Sequence, residues 1–158
     1  MSTDELFDRW QAAWSGRDVR LFEPLCTASF HYEDPLTNGP LRGLRALADH
    51  AQRLWDAFPD VRLERSGERM SSPSFAAAPV RVHGTHQRAL DALPATGKKL
   101  DFQVVFVCEL EDELLRRVRA FFDVYDVGVQ LGVLPVRGSL SAKALLALRG
   151  YGIGRSAG

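Results

Sequence analysis

"KKLDFQVVFVCEL", residues 98–110, places Leu100, Phe102, Val104, Phe106, Cys108 and Leu110 on alternate positions without a break. Successive side chains of a strand point to opposite faces, so this period of two predicts a β-strand with one continuous apolar face. Val105 and Val107 fall between them and make the centre of the other face apolar too, which predicts a strand covered on both sides. Three neighbouring segments have strand length and are separated by Gly, Pro or charged turns: "VRLERSGERM" (61–70), "SFAAAPVRVHGTH" (74–86) and "ELLRRVRAFFDV" (113–124). Together they predict four successive strands of a mostly antiparallel sheet.

The first third of the chain has the other period. Ser2 with Glu5 three residues on forms a capping box, and Phe7, Trp10 and Trp14 recur at helical spacing. Asp18 can cap a short second helix in which Val19, Phe22, Leu25 and Cys26 share a side, and "FHYEDP" (30–35) is extended up to Pro35. In "GLRALADHAQRLWDAFPD" (43–60), Leu44, Leu47, Ala48, Ala51, Leu54, Trp55 and Phe58 form a helical stripe that Pro59 ends, with His50 at its boundary. A last helix is predicted in "SLSAKALLALRG" (139–150), capped by Ser139 or Ser141 and ended by Gly150, with Leu140, Ala144, Ala147 and Leu148 on one side; the Gly-rich residues after it read as loose. The predicted fold class is α+β: a curved, mostly antiparallel sheet around N-terminal helices. Strong curvature leaves a hollow between the layers, a usual place for an apolar small-molecule site.

With 158 residues the chain fits one domain of ordinary globular composition. Twenty basic residues balance twenty acidic ones, so no global field holds nucleic acid or an anionic membrane. No apolar run approaches the roughly 20 residues of a membrane span, and the acidic N-terminus does not read as a signal peptide, so a cytoplasmic location is expected. Cys26 and Cys108 stand apart without metal-ligand spacing and are expected as buried thiols. His83 and His86 fall on opposite strand faces and cannot chelate one metal; no nucleophile elbow, phosphate loop or dinucleotide motif is present, and neither metal nor cofactor is expected.

Five short motifs occur in order: "YEDPLTNGPLRG", "AFPD", "HGTHQ", "LPATGKK" and "DVYDVGVQLGVLP". Through them residues 1–135 resemble the SnoaL-like polyketide cyclases of the nuclear transport factor 2-like, or ketosteroid-isomerase-like, superfamily, with 136–158 as a helical extension. The resemblance implies a cone-like fold, a deep pocket, a homodimer and cofactor-independent chemistry on a small apolar molecule. It places the family's catalytic strand aspartate on Asp123 and its asparagine on Asp34, and puts Phe106 and Val104 where the family has histidine and glutamine.

The residues themselves leave Asp123 open between two readings. In an apolar pocket its pKa would rise and it could exchange protons with a carbon acid. Yet Val118, Ala120, Phe122 and Val124 form the more apolar face of its strand, while Asp123 shares the other with Arg117, Arg119 and Phe121. If that face lines the pocket, Phe121 borders the substrate; if not, Asp123 is an exposed acid. Asp126 reads as a helix cap. Tyr32 and Asp34 alternate to one side and are candidates to orient or polarise a carbonyl, against an Asp34 that merely begins a turn. Trp55, Phe58, His86, Val104 and Phe106 complete the expected substrate contacts. The leading expectation is an acid/base cyclase or isomerase acting on a carbonyl compound. A non-catalytic binding or dimerisation domain is the alternative, and an epoxide hydrolase using Arg81 or Arg119 a further one.

Overall fold

The computed structural model describes residues 1–148. Helix α1 (Thr3–Gly16) starts where Ser2 accepts a hydrogen bond from the Glu5 amide, the predicted cap. The predicted second helix is instead two single 3-10 turns, Val19–Leu21 and Glu23–Leu25; Asp18 does cap the first, Pro24 stands at the start of the second, and the extended Cys26 ends it. Strand β1 (Cys26–Glu33), the two-residue β2 (Leu41–Arg42) and helix α2 (Gly43–Ala57) follow. Strands β3 (Arg62–Arg65), β4 (Met70–Ser71), β5 (Phe75–Thr85), β6 (Lys99–Glu111) and β7 (Leu114–Phe121) occupy the four predicted segments, the first of these divided into β3 and β4. Helices α3 (Val124–Gln130) and α4 (Leu140–Leu148) close the described chain; the predicted stop at Gly150 and the loose tail lie outside the described residues.

The seven strands form one sheet in the order β2-β1-β7-β6-β5-β3, with β4 pairing β5. All pairs are antiparallel except β1 with β7, a parallel pair whose register shifts between Cys26 and His31. This crossover was not foreseen in the periodicity, and it decides the site because it carries the end of β1 into the wall formed by β6 and β7.

Helices α1 and α2 cover the inner face. Phe7, Trp10 and Trp14 from α1, Leu47, Ala51 and Trp55 from α2, and Val104, Phe106, Cys108, Val118 and Ala120 from the sheet form one buried cluster. At its centre Trp10 is fully buried, with ring centroids 5.0 Å from Phe22 and 5.9 Å from Phe106, the latter edge-on. Both cysteines are buried free thiols whose pKa burial pushes up, leaving them unreactive. The outer sheet face carries Val105, Val107 and Phe121 among ion pairs of Glu33 and Glu109 with Arg117 and Arg119. All four leucines of α4 are exposed and none of its residues is buried, so Leu140 and Leu148 of its predicted apolar side face outward among the described residues.

Candidate functional site

A cavity of about 160 Å³ lies between the inner face of the sheet and α2. Its wall is almost wholly apolar because the inward positions of β5, β6 and β7 are Val82, Leu100, Phe102, Val104, Phe106 and Ala120, continued by Phe122 just after β7 and opposed by Leu54, Trp55 and Phe58 of the α2 segment. Tyr32 and Asp34, at the end of β1, supply the polar part of the lining. The parallel pairing of β1 with β7 puts Tyr32 opposite Val118 and so carries both side chains inward.

The Asp34 side chain is only 4% exposed. Its Oδ1 accepts from the Leu36 amide at 2.7 Å; its Oδ2 accepts from the Tyr32 hydroxyl at 2.9 Å and lies 2.7 Å from His50 Nε2. The turn reading of Asp34 therefore holds through Leu36, and the same carboxylate also faces the cavity. Burial by itself raises the pKa of Asp34, but the His50 contact, the Leu36 amide and the Tyr32 hydroxyl favour the ionised form and together hold it below its ordinary value. Burial, and then the adjacent carboxylate, push the Tyr32 phenol well above its usual value, so it remains a neutral donor. The result is an ionised carboxylate oriented by three donors at one end of a greasy cavity.

His50 is the residue that the sequence reading underrated. It stands three residues after Leu47 and four before Leu54, on the buried stripe of α2, and its side chain is 5% exposed. A polar residue on an apolar stripe is the signal that could have found it, because buried polar groups require partners. Its partner Asp34 is sixteen residues away and comes into reach only through the packing of α2 on β1.

Asp123 is placed otherwise than the resemblance implied. Its side chain is 57% exposed, its Oδ1 caps α3 by accepting from the Asp126 amide at 3.0 Å, and Arg137 Nη2 binds it at 2.9 Å. It does not line the cavity. Strand alternation is the reason: Val118, Ala120 and Phe122 point inward, so Phe121 and Asp123 point outward, and Phe121 is 53% exposed on the outer face. The predicted cap role of Asp126 also belongs to Asp123, while Asp126 accepts from Gln130 at 2.8 Å. The epoxide-hydrolase constellation is not assembled at the cavity, since Arg81 pairs with Asp101 and Arg119 with Glu33 instead of lining it.

Of the remaining expected contacts, Trp55, Phe58, Val104 and Phe106 line the cavity, and His86 lies behind the wall. His86 is fully buried and stacked on Phe58 at 5.1 Å, and its Nδ1 accepts from the Thr96 amide at 3.2 Å. Burial disfavours its charged form and lowers its pKa below the ordinary value of 6.5, offset in part by a backbone hydrogen bond at Arg88. Above pH 6.5 both folded and unfolded chains hold this ring neutral and its contribution to stability is complete; as the pH falls below that value, the unfolded chain takes up a proton that the folded chain refuses. The melting temperature is therefore expected to decline as the pH drops below about 6.5, with a shallower decline in His86→Gln. Equal slopes for the two proteins in a buffered thermal-melt series would contradict this assignment.

Among the described residues no helix is long and apolar enough to cross a membrane, and no group of three or more His, Cys, Asp or Glu is placed to hold a metal ion.

The profile of the SnoaL-like polyketide cyclases matches residues 4–131. No curated protein matches the sequence. Several solved structures share the fold. TsrD from Streptomyces laurentii superposes with a TM-score of 0.73 at 19% identity, over 83% of this chain and 95% of its own. A SnoaL-like protein from Jannaschia gives 0.74 at 18%, over 83% and 92%. A protein of ketosteroid-isomerase-like fold from Catenulispora acidiphila, solved with trimethylamine, gives 0.72 at 16%, over 85% and 96%. At these identities the likenesses establish the fold alone. The family profile runs from α1 through α3 and so spans the sheet and the cavity, and the chain belongs to the SnoaL-like polyketide cyclase family.

Proposed function

We propose that the protein is a cofactor-independent acid/base enzyme of the cyclase or isomerase type, acting on a small, mostly apolar, carbonyl-bearing molecule. The observation that carries this reading is the ionised, 4%-exposed Asp34 set into an otherwise apolar cavity wall. A carboxylate so placed can remove a proton from carbon next to a carbonyl; the low-polarity surroundings strengthen its interaction with the bound substrate. Tyr32 orients the carboxylate by donating to Oδ2, and Trp55, Phe58, Val104 and Phe106 take up the apolar body of the ligand. Phe106 and Val104 also favour the second reading, a binding domain without turnover, because neither can donate a hydrogen bond to a developing oxyanion.

A thermal-shift screen of aromatic and cyclic ketones tests occupancy, since a ligand that prefers the folded state raises the melting temperature. Ala120 lines the cavity, so Ala120→Leu, which projects three more carbons toward it, is expected to abolish the shift given by any hit. A hit that shifts both proteins equally binds elsewhere.

The same reading includes a homodimer formed through the outer face of the sheet. Val107 and Phe121 are exposed there beside matched Arg and Glu side chains, and a second sheet laid on this face would bury them. Sedimentation at micromolar concentration is expected to give a dimer, and Val107→Glu a monomer. A wild-type monomer under those conditions removes the dimer from the proposal.

A further inference from the structure

The carboxylate of Asp34 is the near end of a longer chain of contacts. On the side of His50 away from Asp34, Arg53 Nη2 lies 3.1 Å from His50 Nδ1, one turn along α2. Arg53 Nη1 in turn contacts both oxygens of Asp91, at 3.0 and 2.8 Å. Asp91 stands in the connection between β5 and β6, where Leu90 and Leu93 exchange two backbone hydrogen bonds of 2.9 Å and Leu90 forms part of the cavity wall.

The hydrogen-bonding capacities along this chain leave one arrangement. A guanidinium donates and cannot accept, so His50 Nδ1 must be the acceptor and must carry a lone pair. The ring proton then lies on Nε2 and is donated to Asp34 Oδ2 at 2.7 Å. A second proton on Nδ1 would face the Arg53 guanidinium across 3.1 Å, donor against donor and cation against cation. The charged and titratable groups in contact with the ring are Asp34 on one nitrogen, Arg53 on the other, and Tyr32 at a centroid distance of 5.8 Å; Asp91 reaches it only through Arg53. None of the three competes with Arg53 for Nδ1.

We propose that Arg53, seated by Asp91, is a positioning residue that locks His50 as the neutral Nε2–H tautomer, so that Asp34 receives an uncharged donor and its carboxylate keeps its full negative charge toward substrate. The consequence for catalysis rests on the reading of Asp34 as the proton acceptor; the tautomer lock itself does not. An imidazolium in the same place would form a charge-assisted hydrogen bond about twice as strong and would partly neutralise the carboxylate. Because Leu90 adjoins Asp91, the contact that seats Arg53 also seats part of the cavity wall.

The test is nitrogen-resolved NMR of the full chain labelled with ¹⁵N-histidine, which has only four histidines to assign. In the wild type at neutral pH, His50 is expected to show a protonated Nε2 and a bare Nδ1. Arg53→Met, at a half-exposed position where loss of fold is not expected, should let Nδ1 gain a proton as the pH falls; Arg53→Lys, which retains a cationic donor, should preserve the wild-type pattern. A wild-type His50 protonated on Nδ1 at neutral pH, or an Arg53→Met spectrum like that of the wild type, overturns the proposal. Once a substrate is in hand, Arg53→Met should lower kcat at acidic pH with little change in KM and recover toward alkaline pH. If the NMR pattern changes as stated while kcat does not, the lock stands and Asp34 is not the proton acceptor.

Discussion

Asp34→Asn is expected to lower turnover by roughly 10²–10⁴-fold, the range credited to a positioned general base, while ligand affinity changes little. Asp123→Asn is expected to leave turnover unchanged, because that carboxylate is in water beside Arg137 and outside the cavity. The pair of variants separates the two aspartates cleanly, and the opposite result, with activity lost only at Asp123, would move the chemistry away from the cavity. The Asp34 variant also carries a cost in stability. An amide can present one oxygen, not two, so either the Leu36 amide or the Tyr32 and His50 donors lose their acceptor, at about 1–3 kcal/mol for a buried group left unpaired. The dependence on pH has a definite sign. The folded pKa of Asp34 is below its ordinary 3.8, so its stabilisation is present above that value and lost as the pH falls through the folded one. That acid-sensitive part of the melting curve should be missing from Asp34→Asn. If activity survives the substitution while ketone binding persists, the binding-domain reading replaces the enzyme.

Trp10→Ala is expected to cause the largest loss of stability, about 3–5 kcal/mol from lost apolar burial plus the cavity left behind. In a chain of this length that corresponds to a fall in melting temperature of roughly 10 °C or more. Trp10 is fully buried and packs on Trp14, Phe22, Phe30, Tyr32 and Phe106, so it joins α1 to both walls of the sheet. Two of these neighbours, Tyr32 and Phe106, also line the ligand cavity, and its shape is expected to degrade with the fold. Leu148→Ala at the exposed end of α4 removes a large apolar side chain without a packing loss and should leave the melting temperature nearly unchanged. Comparable losses from the two substitutions would place α4 in the core.

The inner face of the sheet was legible residue by residue. Leu100, Val104, Phe106 and Cys108 are buried on one side of β6, as their period of two requires, and Val118 and Ala120 are buried on β7 by the same rule. That rule put Asp123 on the face opposite Val118, Ala120 and Phe122 but left open which face lines the pocket, and the packing of the sheet turns Asp123 outward. Alternation is a property of one strand and its pleat, so no partner is needed to read it. The stripe of α2 and the Ser2 cap were readable for a similar reason: their geometry repeats within a few residues.

What tertiary structure decided is which of these local faces meet. Tyr32 and Asp34 were legible as a same-side pair, but their place beside Ala120 and Phe122 follows from the parallel pairing of β1 with β7, whose partners are more than eighty residues apart. His50 meets Asp34 because α2 packs on β1, and Arg53 finds Asp91 only through the return of the connection between β5 and β6. Local periodicity determines which way a side chain faces, because each residue's direction is set by its own backbone. The groups that converge on a cavity are set by long-range pairing and by sheet curvature, which depend on the whole chain and leave no period in the sequence.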